Sequence, residues 1–286
     1  MPTLLDFRRR IRSVRNTQQI TRAMKFVAAA RLRRAQENAL AARPFAHELA
    51  RLLRSIMGRI ESPQHPLLAQ RPEKRVLAVV LSGERGLCGA FNSNILRKAR
   101  EFFVSRKGET LVAIPVGRKG RDALRKAGIS FAAEYVNVLA RVEFATAREI
   151  SSLVAQLYSK EEVDAVYLIF SEFKNVLAPS LALEKILPVQ TPPSEAAGET
   201  QVDYLYEQPA ERLLDALLPR YVETQVLRAM LESSAAEHAA RMTAMESATK
   251  NAGEVIDALT LYMNKVRQAA ITREIIEIVS GAASAA

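Results

Sequence analysis

Two long heptad patterns at the ends of the chain, and a strand–helix alternation between them, predict an α/β protein of unusual build. The expected fold is a long antiparallel coiled coil of N- and C-terminal helices with a central Rossmann-like α/β domain. The expected segments are residues 1–62 and 209–286 for the two helices and 75–208 for the α/β domain.

The first helix runs from about Leu4 to Ile60. Its apolar seam is Leu4, Phe7, Ile11, Val14, Ala28, Leu32, Ala35, Ala39, Ala42, Ala46, Leu49, Leu53, Ile56 and Ile60. Gln18, Thr21 and Lys25 interrupt it. A repeat of 3.5 residues held this long is a coiled-coil strand rather than one side of a globule. Pro44 predicts a kink near Ala42 or Arg43, since its ring removes an amide and crowds the preceding turn. The second helix has the seam Leu231, Ala235, His238, Met242, Met245, Thr249, Ala252, Ile256, Leu259, Met263, Val266 and Ala270. Pro219 is expected in its first turn, which would start the long helix there, and Gly281 is a plausible stop. The C-terminal helix is the longer, so its end should extend past the start of the first.

Residues 75–208 alternate. Strands are expected at Arg75–Ser82, Thr110–Gly117, Ile129–Val136, Val163–Phe173, Val176–Pro188 and Val202–Glu207. Helices are expected at 91–107, 118–127 and 145–160, with a polar loop at Thr191–Glu199. Such alternation gives a largely parallel sheet covered by helices.

Charge is distributed unevenly. The net charge of +10 divides into +11 for residues 1–60, +7 for 61–135 and −8 for 136–286. Arg8, Arg9, Arg10, Arg12, Arg15, Arg22, Lys25, Arg31, Arg33 and Arg34 stand on the first helix with almost no acids among them. That scarcity argues against neutralisation within the helix at i,i+4 and for an anionic partner. An acidic protein surface, a nucleic acid bound by a basic coiled coil, and a lipid surface are the candidates. The apolar face is Ala-rich and poor in aromatics, which weakens the lipid reading. No apolar run is long enough to span a bilayer, and the basic N-terminus has no apolar core of a signal peptide behind it.

Chemistry is sparse. Ser82–Asn92 (SGERGLCGAFN) lies between a strand and a helix, where a phosphate-binding turn would sit. Its spacing is G-x-x-G-x-x-G, with no Gly-Lys-Ser/Thr after it, so a tight structural turn is the plainer reading and a nucleotide-dependent enzyme the bolder one. Cys88 is the only thiol, which fits a reducing compartment. Arg85 and the helix start could lower its pKa, but no histidine neighbours it in sequence. His47, His65 and His238 share no metal-ligand spacing. No catalytic constellation and no cofactor site emerges. Beyond Ile271 the chain reads ITREIIEIVSGAASAA, apolar and small, as though it sits in a tight apolar collar.

Three stretches carry a resemblance. They are Arg10–Gln36 (RIRSVRNTQQITRAMKFVAAARLRRAQ), Ser82–Asn94 (SGERGLCGAFNSN), and the run from Ser234 that contains MNKVRQAAITREIIEIVSGA. With them the whole chain resembles the gamma subunit family of F-type ATP synthases. The chain departs from the family at Gly83-Glu84 and at Ser234–His238.

The resemblance implies a rotor shaft within a ring of alpha and beta subunits. It implies a foot that meets the epsilon subunit and the ring of c subunits, and a non-catalytic role in coupling proton flow to the beta subunits. Arg267 and Gln268 match positions that bond to the beta subunit, and Thr272 and Glu274 lie in the same signature. Met24 matches a position facing an acidic beta loop, and Cys88 one near that loop. Arg8, Arg9, Arg10, Arg33, Arg34, Arg75 and Arg85 form the basic track toward those loops. Tyr204 and Glu207 fall where the foot approaches the c ring. No nucleic-acid partner and no cofactor is implied, and membrane contact comes only through the complex. The absence of an inserted cysteine pair favours a bacterial type, peripheral on the cytoplasmic face of the inner membrane.

Overall fold

Arg75–Leu81 (β1) is apolar from Val76 onward, and the fold explains why both of its faces need to be. In the computed structural model, which describes residues 3–58, 60, 65–106, 108–175, 180–190 and 208–285, β1 is the middle strand of a five-stranded sheet. The other strands are β2 (Thr110–Val116), β3 (Ser130–Phe131), β4 (Ala165–Glu172) and β5 (Ser180–Leu187), in the order β3-β2-β1-β4-β5. The first four are mutually parallel, and β5 runs antiparallel to β4. Val79 lies opposite Ile114 on one side and Leu168 on the other.

Side chains alternate across a strand, so β1 feeds two cores. Leu77, Val79 and Leu81 pack with α4 (Phe144–Ser159), the end of α1 (Leu4–Met57) and the start of α5 (Ala210–Ala285). Val76, Ala78 and Val80 pack with α2 (Phe91–Ser105) and with Leu124 of α3 (Arg118–Lys126). Each fully buried aliphatic or aromatic side chain there contributes roughly 1.5–3 kcal/mol.

Contacts divide the chain into two units, residues 1–28 with 242–286 and residues 29–241. The division falls inside α1 and α5 rather than at their ends, so the α/β unit includes long stretches of both helices. In the smaller unit the two helix segments pair antiparallel. The Phe7 and Tyr262 rings are 5.2 Å apart, the Thr21 and Thr249 hydroxyls 2.8 Å, and Lys25 Nζ is 2.6 Å from Glu246 Oε1. The apolar seam is where the heptads put it, with Phe7, Met245 and Ala252 buried. Gln18, Thr21 and Lys25, which interrupt the seam in sequence, form a polar layer across it. Gln18 Nε2 donates to the Thr249 carbonyl at 3.3 Å, beside Thr21–Thr249 and Lys25–Glu246.

Several boundaries differ from the sequence reading. Pro219 does not start α5, which begins at Ala210 and runs through the proline. Leu214, Leu218 and Val222 are all buried around it, and that burial outweighs the cost of one proline, about 3 kcal/mol. α5 also continues past Gly281, while α1 runs through Pro44 as expected. The expected strand at Ile129–Val136 shrinks to Ser130–Phe131 plus a bridge between Val116 and Tyr135. The neighbouring position on β2 is Pro115, whose carbonyl accepts from Tyr135 N but which has no N–H to give back. The fifth strand covers Ser180–Leu187 of the expected Val176–Pro188, whose first four residues lie outside the described ones. The loop at Thr191–Glu199 and the strand at Val202–Glu207 also lie outside them. A short 3-10 turn at Pro66–Leu68, capped by His65 Nδ1 accepting from Leu67 N at 3.0 Å, has no counterpart in the sequence reading.

Pro219→Ala should restore an amide donor toward the Asp215 carbonyl in α5. We expect a gain of about 1–3 kcal/mol in urea denaturation, with an unchanged far-ultraviolet helix signal.

Candidate functional site

The exposed surface of the smaller unit is the first candidate. Along the pairing just described, residue numbers rise on α1 as they fall on α5, which sets Thr3 near Val266. Past Val266, α5 has no α1 residue beside it, and residues 267–280 are all exposed. Ile271, Ile275, Ile276, Ile278 and Val279 are 48–71% exposed. That much aliphatic surface on one helix is a contact surface rather than a scatter of surface residues. Arg267, Gln268, Thr272 and Glu274 stand on this segment. The Thr272 hydroxyl donates to the Gln268 carbonyl at 2.9 Å, and Arg267 has no ion-pair partner among the described residues.

Arg8, Arg9 and Arg10 are exposed and without carboxylate partners at salt-bridge distance among the described residues. Met24 is half-buried on the same helix. Arg33 and Arg34 are exposed. Internal neutralisation of the basic helix is not absent, contrary to the sequence reading: Arg33 Nε pairs with Glu37 at 3.1 Å, an i,i+4 pair, and Lys25 pairs across the seam with Glu246. The sequence reading counted acids on α1 without the carboxylates that α5 supplies.

Two expected contact residues, Arg75 and Cys88, have partners within the fold. Arg75 Nη2 binds Asp164 Oδ1 at 3.0 Å, while the Arg75 backbone N–H donates to Oδ2 at 2.8 Å. Burial opposes ionisation of Asp164, but these hydrogen bonds and the Arg75 charge hold its carboxyl below the usual range. Arg75 therefore pins the start of β1 to that of β4. Cys88 is 1% exposed, so its thiol offers no surface to another chain. Burial, then the nearby Glu237, push the thiol up rather than down, and Arg241 only partly offsets them. Arg85 is exposed, but it reaches Cys88 through its carbonyl, 3.7 Å from Sγ, not through its charge. Leu87, 64% exposed with φ of 63°, is the residue that this turn presents outward, and the sequence reading missed it. Tyr204 and Glu207 lie outside the described residues.

The glycine turn binds the chain's own helix. Gly83 N donates to Asn92 Oδ1 at 2.8 Å, and the Ser82 hydroxyl accepts from Gly120 N at 2.7 Å. A ligand in a doubly wound sheet sits beyond the carboxyl ends of its strands. Here α5 lies there: a Cβ on Gly83 would be 2.9 Å from Glu237 Oε1, and Ala236 packs into the core beneath. Glu237 is buried and paired with Arg241 Nη2 at 2.6 Å. A phosphate placed in this turn would meet a carboxylate and a helix. A Cβ at position 83 would also come 3.0 Å from Asn92 Oδ1, so side chains of α5 and α2 both crowd the position.

Residues 231–239 of α5 are buried on every side. His238 lies among them, between Arg241 and Arg31. Burial first, then these two cations, lower its pKa to about 4. Among the described residues, no group of three or more His, Cys, Asp or Glu is arranged to hold a metal ion. No helix among them is long and apolar enough to cross a membrane.

A family model described as ATP synthase matches residues 3–285. The ATP synthase gamma chain of Solibacter usitatus is 49% identical over 289 residues, covering 100% of both chains. The chain belongs to the ATP synthase gamma chain family. The gamma chain of Desulforamulus reducens is 50% identical over 284 residues, covering 99% of each. Among solved structures, a chain from the central stalk and c ring of the Tetrahymena thermophila mitochondrial ATP synthase is 25% identical. Its TM-score is 0.60, over 80% of this chain and 99% of that one. A chain of the Euglena gracilis mitochondrial ATP synthase shares the fold at a TM-score of 0.68 and 19% identity, over 98% of this chain and 94% of that one.

The buried His238 should make stability depend on pH. Its pKa is below the unfolded 6.5, so its contribution is complete above pH 6.5 and falls away as pH drops toward about 4. Relative to His238→Asn, the natural chain should lose about 3 kcal/mol across that interval. Paired denaturant titrations at pH 7 and pH 4.5 would measure the difference.

Proposed function

We propose that this chain is the central rotor stalk subunit of a proton-translocating F-type ATP synthase. In that role it couples rotation of a membrane c ring to conformational change at catalytic beta subunits. The observation that carries this reading is the unpaired end of α5, an exposed aliphatic helix from Ile271 to Val279, in a chain of this family. Such a helix needs a close apolar sheath, and the collar of alpha and beta subunits is one. The other partners follow from the family resemblance: the epsilon subunit and the c ring at the α/β unit, by way of Tyr204 and Glu207. Attachment to the bacterial inner membrane is then peripheral, on the cytoplasmic face.

The contacts to the beta subunit are assigned to Arg267, Gln268, Thr272 and Glu274, with Met24 and the exposed Arg8, Arg9, Arg10, Arg33 and Arg34. Arg85 stays in this set by its exposure. Cys88 leaves it, since it is buried, while Arg75 stays by its exposure although Asp164 also engages it. The chain carries no catalytic step of its own. Three findings favour that: a thiol pushed up by burial, a histidine held neutral, and a glycine turn filled by α5. The nucleic-acid alternative is disfavoured because Lys25 and Arg33 already have carboxylate partners, which shortens the run of cations that phosphates could neutralise.

Assembly with cognate alpha and beta subunits is the direct test. Arg267→Ala with Gln268→Ala should lower the ATPase activity of the reconstituted alpha–beta–gamma complex about tenfold, equivalent to about 1.4 kcal/mol at the transition state. Charge reversal at Arg8, Arg9 and Arg10 should lower rotation-coupled activity while the denaturation midpoint of the free chain stays put. A chain that fails to assemble with those subunits would end the rotor reading.

A further inference from the structure

A helix that crosses an α/β unit surrounded by apolar side chains has little to stop it turning about its own axis. Hydrophobic contact is non-directional, and buried area barely changes as a cylinder rotates in its socket. The surface of α5 here is also smooth, with Ala229, Ala235, Ala236 and Ala239 all buried. Polar ties break that indifference, and α5 has three of them within residues 223–234.

Glu223 is buried, and its Oε1 accepts from Arg148 Nε of α4 at 3.0 Å, while Arg220 Nη1 supports Oε2 at 3.1 Å. Arg228 binds Glu184 of β5, and its guanidinium lies 5.6 Å from the centre of the Phe170 ring of β4. The Ser234 hydroxyl donates to the Leu139 carbonyl, in the loop before α4, at 3.1 Å. At about 100° per residue, Glu223 and Ser234 fall within about 20° of one another, and Arg228 points about 120–140° away from them. Ties on opposite sides of a helix resist turning in both senses. They act at a lever arm of only about 5–6 Å, so short directional bonds are what can bear the load.

We propose that Glu223, Arg228 and Ser234 are positioning residues that key α5 against rotation within the α/β unit, so that torque applied to the sheet reaches the helix without slip. The inference rests on the rotor reading and adds to it the joint through which torque passes. None of these three positions belongs to the contact set deduced from the resemblance.

Arg228→Gln, Glu184→Gln and the double variant test the tie in the full complex reconstituted in vesicles. The readout is protons pumped per ATP hydrolysed, measured beside hydrolysis itself and the denaturation midpoint. Each single variant should lower the ratio at least twofold while hydrolysis changes less, and the double variant should fall no further, because the pair acts as one unit. Ser234→Ala, which removes one hydrogen bond and little volume, should lower the ratio in the same direction if the charge variants assemble poorly. A wild-type ratio in assembled single variants, or losses that multiply in the double, would overturn the key. Failure of the unsubstituted chain to assemble would instead overturn the rotor reading beneath it.

Discussion

The passage of α5 across the carboxyl ends of the parallel strands is the constraint on which the rest of the structure depends. Residues 231–239 are buried on all sides, yet the stretch carries Glu232, Ser233, Ser234, Glu237 and His238. Burying that many polar groups is costly unless partners answer them. The Leu139 carbonyl accepts from Ser234, and Arg228 and Arg241 of the same helix pair with Glu232 and Glu237, while Glu232 Oε2 and Ser233 Oγ have no hydrogen-bond partner among the described residues. The crowding of Gly83 by Glu237 and a neutral His238 follow from the same close approach. The place where doubly wound sheets hold a ligand is given over to the chain's own helix, which turns a binding fold into a mounting.

Much of this was legible in the sequence because its signals are periodic. The heptads fixed the pairing of α1 with α5, and the apolar run at Val76–Leu81 announced a strand buried on both faces. The glycine spacing around Ser82 spoke against a phosphate turn. Only the structure showed what the turn holds instead, since Glu237 is distant in sequence from Gly83. One proline misled for a related reason. Pro219 is a breaker by local propensity, but Leu214, Leu218 and Val222 bury the turns around it, and that tertiary gain is invisible in a window of ten residues.

The candidate site divides the same way. Exposure of Arg267, Gln268, Thr272 and Glu274 follows from relative helix length, which the sequence supplies. The engagement of Arg75 and the burial of Cys88 do not. One needed the position of Asp164, and the other needed α5 lying over the turn. The interruptions Gln18, Thr21 and Lys25 were visible as gaps in an apolar seam. Their meaning as a matched polar layer required knowing that Thr249 and Glu246 stand opposite.

The unpaired end of α5 raises a question of helix physics. Isolated helices of that length are marginal in water, because the first turn fixes several residues for a single hydrogen bond. This segment never meets that cost, since the turns before Val266 are already wound and side by side with α1. Its residues need only propagate an existing helix, one hydrogen bond per residue. The segment can thus be held as a rod while residues 267–280 stay exposed, and its order is borrowed from the paired turns behind it.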